Sequence, residues 1–358
     1  MDNKGLLFIP DISGFTRFVH QTDIEHSRMI IQELLEVLIE ANDIGLHVSE
    51  IEGDAILFYK FGDNPELEEL YNQVQKMFCE FHKRLNAYED NRFCQCNACV
   101  SAIGLSLKVI THYCEFTGYT IKNFNKLIGK DVIVAHQLLK NDIDKHEYWL
   151  VTDSLVQNDS PRDFAQWMKW DKSVKQTETG DVAFHYTQLA ELKNNIEPDP
   201  PPTLELEDKK KRLSVSKVYE TDIIRLFHAS GDFQYRNRWQ DGVKAVEEIS
   251  HYLPRLGMRY RQIKDEGSVV IYASSYKFTP ERIEFGETEE NKKNATHYII
   301  EDLGQGKLKL TLDYYDPRIA GGQISFNLFR KKKLEASLTR SLNNLAEAIK
   351  TVKLPGEA

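Results

Sequence analysis

The feature that most constrains this chain is a break just past its middle. From Asn194 to Arg212 it reads NNIEPDPPPTLELEDKKKR, with Pro198, Pro200, Pro201 and Pro202 ahead of a run of charges. Proline fixes φ, removes a backbone donor and disfavours helix in the residue before it, so such a stretch is extended and semi-rigid. No periodic apolar face crosses it. A chain of 358 residues is also long for one core. The expected organisation is a domain over residues 1–194, a linker over 195–212 and a second domain over 213–358, with no internal repeat relating the two.

Charge narrows the function classes. The formal net charge is −9, which argues against a nucleic-acid binder or a binder of anionic membranes, since both need a basic surface. A small anionic ligand in a locally positive pocket stays compatible with it. The opening MDNKGLLFIPDISGF has its apolar run cut by Asp11, unlike a secretory leader, and no stretch approaches the ~20 apolar residues of a membrane span. The five cysteines all fall between Cys79 and Cys114, an odd, clustered set that makes a poor disulfide framework. A cytoplasmic location is the expectation.

Periodicity gives the elements. GLLFIPDI reads as a buried strand, followed by a Ser-Gly turn and a helix from about Asp23 to Asn42, whose Met29, Ile30, Leu34, Leu35, Leu38 and Ile39 make one apolar stripe. GLHVSEI and DAILFYKF flank Glu52 and Gly53 at hairpin spacing. A second amphipathic helix spans about Leu67 to Leu85, then come a Cys-rich loop, the strand IGLSLKVIT and a short helix near Asp131. Strand, helix, hairpin, helix, strand is the ferredoxin-like split βαβ order, an α+β fold. In the second half, LSVSKVYE reads as a strand, TDIIRLFHA as a helix start, and SVVIYASSYKF, ATHYIIEDL and KLKLTLDYYD as further strands. Leu334, Leu338, Leu342, Leu345 and Ile349 predict a long helix with one buried face.

Two carboxylates stand at strand ends. Asp11 closes the first strand and Asp54 follows the turn at Gly53; in a split βαβ sheet these strands are neighbours, so both side chains could converge on a hard cation such as Mg²⁺ or Mn²⁺. The turn Ser13-Gly14-Phe15-Thr16 offers backbone N–H groups as a phosphate cradle. The alternative is that Asp11 caps a turn and Asp54 belongs only to its hairpin.

FIPDISGFT followed by EIEGDAILFY resembles the paired metal-binding motifs of class III adenylate and guanylate cyclases. LKVITHYCEF, with His112 and Glu115, LIGKDVIVAHQL and ETGDVAFHYTQL are similar to later elements of that family in the same order, so the resemblance covers about residues 5–192. It implies that Asp11 and Asp54 are the metal ligands and that Ser13, Gly14, Phe15 and Thr16 hold phosphate oxygens of a nucleoside triphosphate. It also implies a homodimer, or a heterodimer with an intact cyclase chain, because the family's sites form between two domains. The departures are as informative. Ile133 stands at the family's ribose-orienting asparagine and Gln137 at its transition-state arginine, and neither can do that chemistry. Glu50 and Lys126 fall on the base-selecting positions: Glu50 alone would favour guanine, and a facing Lys126 would instead pair with it. Lys130, His136 or Lys140 are the candidates to replace the arginine. The reading is a pseudo-cyclase that binds nucleotide and metal, with two alternatives: an active class III cyclase, favouring GTP, or a structural dimerisation module.

Cys94-x-Cys96-x-x-Cys99 lies in the loop before the central strand, with Cys79, His82, His112 and Cys114 as candidate fourth ligands of a structural zinc. The alternative is that these thiols are small buried hydrophobes. Beyond the break, VYETDIIRLFHASGDFQYRNRWQDGVKAVEEI, with Arg236, Trp239 and Gly242, resembles the opening of a START/polyketide-cyclase-like helix-grip domain over about 213–352. That implies an antiparallel sheet wrapped on a long C-terminal helix and a cavity for a small apolar molecule. Trp239, Tyr260, Tyr276, Phe278 and Tyr314 either line such a pocket or fill a core.

Overall fold

A computed structural model describes the chain except for residues 1–2, 95, 123, 157–160, 179, 198–205, 207, 250–255, 266, 292–293, 318–327 and 355–358. The chain forms two compact units, Met1–Asp90 with Asn97–Asp199, and Pro200–Ala358 with the short segment Asn91–Cys96. The four prolines of the break, Pro198, Pro200, Pro201 and Pro202, lie outside the described residues.

The first unit opens on β1 (Lys4–Ser13), α1 (Phe15–Gln21), α2 (Ile24–Glu40), β2 (His47–Glu52) and β3 (Ala55–Phe61). There follow α3 (Leu67–Asn91), α4 (Asn97–Ser101), β4 (Ser106–Glu115), the small hairpin β5 (Thr117–Ile121) and β6 (Phe124–Ile128), and α5 (Lys130–Leu138). The unit closes with β7 (Tyr148–Thr152), α6 (Asp153–Val156), β8 (Asp171–Thr177) and β9 (Gly180–Gln188). Seven strands form one sheet in the order β2-β3-β1-β4-β7-β9-β8. Its first four members keep the split βαβ order expected from the sequence. β1 is the pivot: nine of its ten residues are buried, and it is antiparallel to β3 on one side and β4 on the other.

Local chemistry explains the boundaries. Asp23 caps α2 by accepting from the His26 N–H at 2.9 Å, which satisfies an orphan donor of the first turn. α3 runs to Asn91, past the expected stop at Leu85, because Tyr88 extends the stripe of Phe78, Phe81 and Leu85 and is itself buried. Gly53 has φ 62°, the left-handed turn conformation that lets β2 reverse into β3 in two residues.

The second unit is a seven-stranded antiparallel sheet, in the order β10-β16-β15-β14-β13-β12-β11. Its strands are β10 (Lys209–Glu220), β11 (Val243–Glu248), β12 (Arg259–Lys264), β13 (Gly267–Thr279), β14 (Arg282–Glu289), β15 (Ala295–Asp302) and β16 (Lys307–Pro317). Helices α7 (Ile223–Gly231), α8 (Arg236–Trp239) and the long α9 (Leu328–Ala348) pack with it. The sheet and terminal helix agree with the expectation. The charge run Lys209–Arg212, expected in the linker, instead opens β10, where Lys211 and Arg212 pair with Asp313 and Asp316 of β16. Leu342, Leu345 and Ile349 of the terminal segment are buried in the unit's core, and Tyr219 donates to the Leu342 carbonyl at 2.8 Å. Among the described residues no helix is long and apolar enough to cross a membrane.

Candidate functional site

Asp11 and Asp54 meet because of sheet register. The Ile12 N–H donates to the Asp54 carbonyl at 2.9 Å, so the hairpin turn lies against the end of β1. On its other side Asp11 faces Lys108 of β4 directly across the ladder, and its carboxylate lies 3.2 Å from the Lys108 ammonium. Burial raises the pKa of Asp11 while Lys108 pulls it back. Asp54 is pushed up to about 6, first by burial and then by the negative charge of Asp11. The two carboxylates therefore share one field.

Both line a cavity of about 1020 Å³. The turn from Ser13 to Thr16 lines it too. Gly14 holds that turn at φ 88°, and a Cβ there would stand 3.4 Å from the Gly104 carbonyl oxygen, so the position is made for glycine. The Ser13 hydroxyl is already committed, donating to the His146 carbonyl at 3.0 Å. Ile133, His136 and Gln137 of α5, with Lys140 beyond it, form another wall of the same cavity. Ile133 is 57% exposed, an apolar side chain presented to a polar space. Lys130 is not among the lining residues.

Glu50 and Lys126 pair with each other, Lys126 donating to the carboxylate of Glu50. That bond raises the pKa of Lys126. His136 stands 4.0 Å from Glu50 and 3.9 Å from Glu52, so it links this pair to the cavity. His112 is buried, its Nδ1 2.9 Å from the Thr152 hydroxyl, and burial lowers its pKa to about 4, which keeps the ring neutral at pH 7. Glu115 lies at the exposed end of β4 and its N–H donates to Asp131.

Of the basic residues that line the cavity, three were not singled out in the sequence: Arg17, Lys108 and His146. Lys108 was discoverable in principle, since it sits inside the strand that must flank β1, but only the register places it opposite Asp11.

Of the cysteine motif, the Cys99 sulfur lies 3.5 Å from the His26 Nδ1, and the Cys96 N–H donates to the Cys94 sulfur at 3.4 Å. Of the residues expected to complete a zinc set, His82 packs on Phe78 and Phe81, and His112 and Cys114 group with Asp131.

In the second unit the Arg-x-x-Trp stretch is interior. Arg236 is wholly buried, paired with Glu287 and donating to the Tyr298 hydroxyl at 2.9 Å. Trp239 and Tyr260 belong to the core, and Phe233 stacks on Tyr260 with centroids 3.7 Å apart. Tyr276 packs against that core, whereas Phe278 is 36% exposed and Tyr314 partly buried.

Comparison with known proteins adds the following. A family model described as "Protein of unknown function (DUF2652)" matches residues 31–148. The uncharacterized protein Rv2561/Rv2562 of Mycobacterium tuberculosis is 30% identical over 160 residues, 44% of this chain and 73% of that protein. Among solved structures, the catalytic core of a rhodopsin-guanylyl cyclase with converted specificity, in complex with ATPαS, aligns with a TM-score of 0.35 at 14% identity, covering 52% of this chain and 96% of that one. The adenylyl cyclase CyaB from P. aeruginosa aligns with a TM-score of 0.32 at 13% identity, covering 51% and 93%. At these scores the structural likenesses carry no argument of their own.

Proposed function

We propose that this chain, which belongs to the same family as the uncharacterized Mycobacterium tuberculosis protein Rv2561/Rv2562, binds a nucleoside triphosphate with Mg²⁺ or Mn²⁺ in the cavity of its first unit and cyclises it poorly. The observation that carries this reading is the make-up of one cavity: Asp11, Asp54 and the Ser13–Thr16 turn line it together with Ile133 and Gln137. Two carboxylates close enough for one to raise the pKa of the other suit a hard divalent cation, which takes oxygen ligands. Asp11 and Asp54 would hold it. When bound, it would neutralise phosphate oxygens and ease deprotonation of an attacking hydroxyl.

The chain's own groups account for binding better than for turnover. Lys108 favours the ionised form of Asp11, and Arg17 and Lys140 bring positive charge to the cavity for phosphate oxygens. Ile133 has no group to orient a sugar hydroxyl, and Gln137 has no charge to offset what develops on a transferring phosphoryl group. Absence of such a preorganised donor typically costs on the order of 10²–10³ in rate. The buried aromatics of the second unit support a core filled by its own side chains, ahead of one enclosing a small apolar molecule.

The first unit also supports self-association, the dimer being the arrangement its resemblance implies. Val19, Ile24, Ile39 and Ile51 are exposed apolar side chains around a groove of about 590 Å³, and Tyr119, Ile121 and Ile128 are exposed on the β5–β6 hairpin.

The test is to incubate the chain with Mn²⁺ and ATP, GTP, CTP and UTP separately, beside Asp54→Ala, and to read binding by calorimetry and products by mass spectrometry. Saturable binding that the substitution abolishes, with no more than a trace of cyclic product, is the expected result. Cyclic nucleotide made by the unaltered chain over many turnovers and lost in the variant would establish the active-cyclase alternative instead; no binding at all would leave the structural module.

A further inference from the structure

We infer that His112, Cys114 and Asp131 of the first unit form a three-ligand site for a Zn²⁺ ion, with the fourth coordination position left open. Each offers one ligand atom, and these atoms all lie within 4.8 Å of one another. His112 and Cys114 are two apart on β4, so strand alternation puts them on one face. Asp131 is the second residue of α5, whose Val132 and Ala135 share a core with Cys114. The Glu115 N–H donates to the Asp131 Oδ2 at 3.1 Å and holds that carboxylate at the end of the strand. None of the three lines the cavity of Asp11 and Asp54, so the site is a separate one.

A buried nitrogen points to a ligand here. His112 is 7% exposed. Its Nδ1 lies 2.9 Å from the Thr152 hydroxyl, which in turn lies 2.9 Å from that of Ser154. With the ring proton on Nδ1 and donated to Thr152, Nε2 keeps a lone pair. Nε2 is buried with no hydrogen-bond partner among the described residues. A buried acceptor left bare is costly, and a metal ion on it removes that cost. An imidazole held through its other nitrogen is also how metal-bound histidines are oriented.

The dimensions and charges suit zinc. Bonds of ~2.3 Å to sulfur, ~2.0–2.1 Å to imidazole nitrogen and ~2.0–2.2 Å to carboxylate oxygen put the ligand atoms of a tetrahedron about 3.3–3.6 Å apart. Atoms within 4.8 Å of one another reach that spacing by side-chain rotation. One thiolate and one carboxylate balance the charge of Zn²⁺, and a set of sulfur, nitrogen and oxygen selects it over Mg²⁺ or Ca²⁺. Burial and the negative charges of Asp131 and Glu115 push the Cys114 thiol up; the same charges draw a cation, which displaces the thiol proton on binding. Among the described residues no fourth His, Cys, Asp or Glu joins the group, and the Glu115 side chain pairs instead with Lys4 at 3.5 Å. Three protein ligands leave the remaining position to water or a small ligand.

The experiment is a cobalt titration of the full, reduced chain by absorption spectroscopy, beside Cys114→Ser, Asp131→Asn and Cys96→Ser, with zinc added at the end. The expected result is a saturable thiolate charge-transfer band together with the d–d bands of a four-coordinate ion. Zinc should bleach both, Cys96→Ser should keep them and Cys114→Ser should lack the charge-transfer band. Asp131→Asn should bind cobalt at least about tenfold more weakly, since losing even an outer partner of a metal ligand costs that much. Cys114→Ser alters a buried residue, so Asp131→Asn serves as the folded variant: Asp131 is half-buried, and asparagine can still accept from the Glu115 N–H. Its far-ultraviolet circular dichroism should match that of the unaltered chain. A reduced chain without a thiolate band, a band unchanged in Cys114→Ser, or undiminished cobalt affinity in Asp131→Asn would each overturn the assignment.

Discussion

Replacing Glu287 by Gln tests how the second unit is held together. Arg236 is fully enclosed, and its guanidinium has Glu287, the Tyr298 hydroxyl and, at 3.4 Å, the Gly231 carbonyl as acceptors. Its Nε already has no acceptor among the described residues, so no spare group can take over when the carboxylate goes. Glu287→Gln keeps shape and volume but leaves a buried cation without its counter-charge. Breaking one side of a buried pair in this way costs about 3–5 kcal/mol. Replacing both partners by methionine should cost far less, because the desolvation of the two charges disappears with them. The assay is urea denaturation of the full chain, with the transition of the second unit isolated by hydrogen exchange at β13, β14 and β15. With an m-value of about 2 kcal/mol per molar urea, the single substitution should lower that midpoint by about 2 M. A shift below about 0.3 M, or a double variant as unstable as the sum of its singles, would refute the reasoning.

Further outcomes follow from the first unit. Asp54 has its folded pKa raised to about 6; a carboxylate raised in this sense costs stability as pH climbs from the unfolded value near 4 to about 6. A cation binds its ionised form, so Mn²⁺ affinity, read by electron paramagnetic resonance, should rise about fivefold from pH 5 to pH 6, about tenfold in all by pH 7, and level off above that; affinity independent of pH would count against Asp54 as a ligand. Ile133→Asn combined with Gln137→Arg should raise cyclic nucleotide formation at least about 10²-fold over the unaltered chain, read by mass spectrometry. Gly53→Ala forces an L side chain into the left-handed region and should destabilise the first unit by about 1–2 kcal/mol in thermal unfolding.

The sequence made some of this legible and could not reach the rest. The positions of Asp11 and Asp54 could be read because each closes a recognisable element, a buried strand and a glycine turn. The Asp11–Lys108 pair could not, since β4 begins almost a hundred residues after β1 and register is a tertiary property. The contact of His26 with Cys99 escaped notice for a similar reason: on α2 it reads as a polar residue of an amphipathic helix, 73 residues before that cysteine. The strand β8 has only Val174 as an apolar residue and is mostly exposed at the sheet's edge, so no alternation announced it. Arg236 and Trp239 were singled out correctly as a constellation, but their interior role depends on Glu287 of β14, which no local spacing reveals.

The place of β1 in its sheet has a consequence for how the molecule breathes. A strand bonded along both edges and buried almost throughout exchanges its amide protons only when the whole unit opens, whereas short outer hairpins such as β5–β6 open by themselves at far lower cost. Asp11 rides on that slowest strand, and Lys108 on the neighbour that opens with it. Thermal excursions that loosen the outer parts of the unit will therefore leave the acid–lysine pair standing, and it will dissolve only with global unfolding.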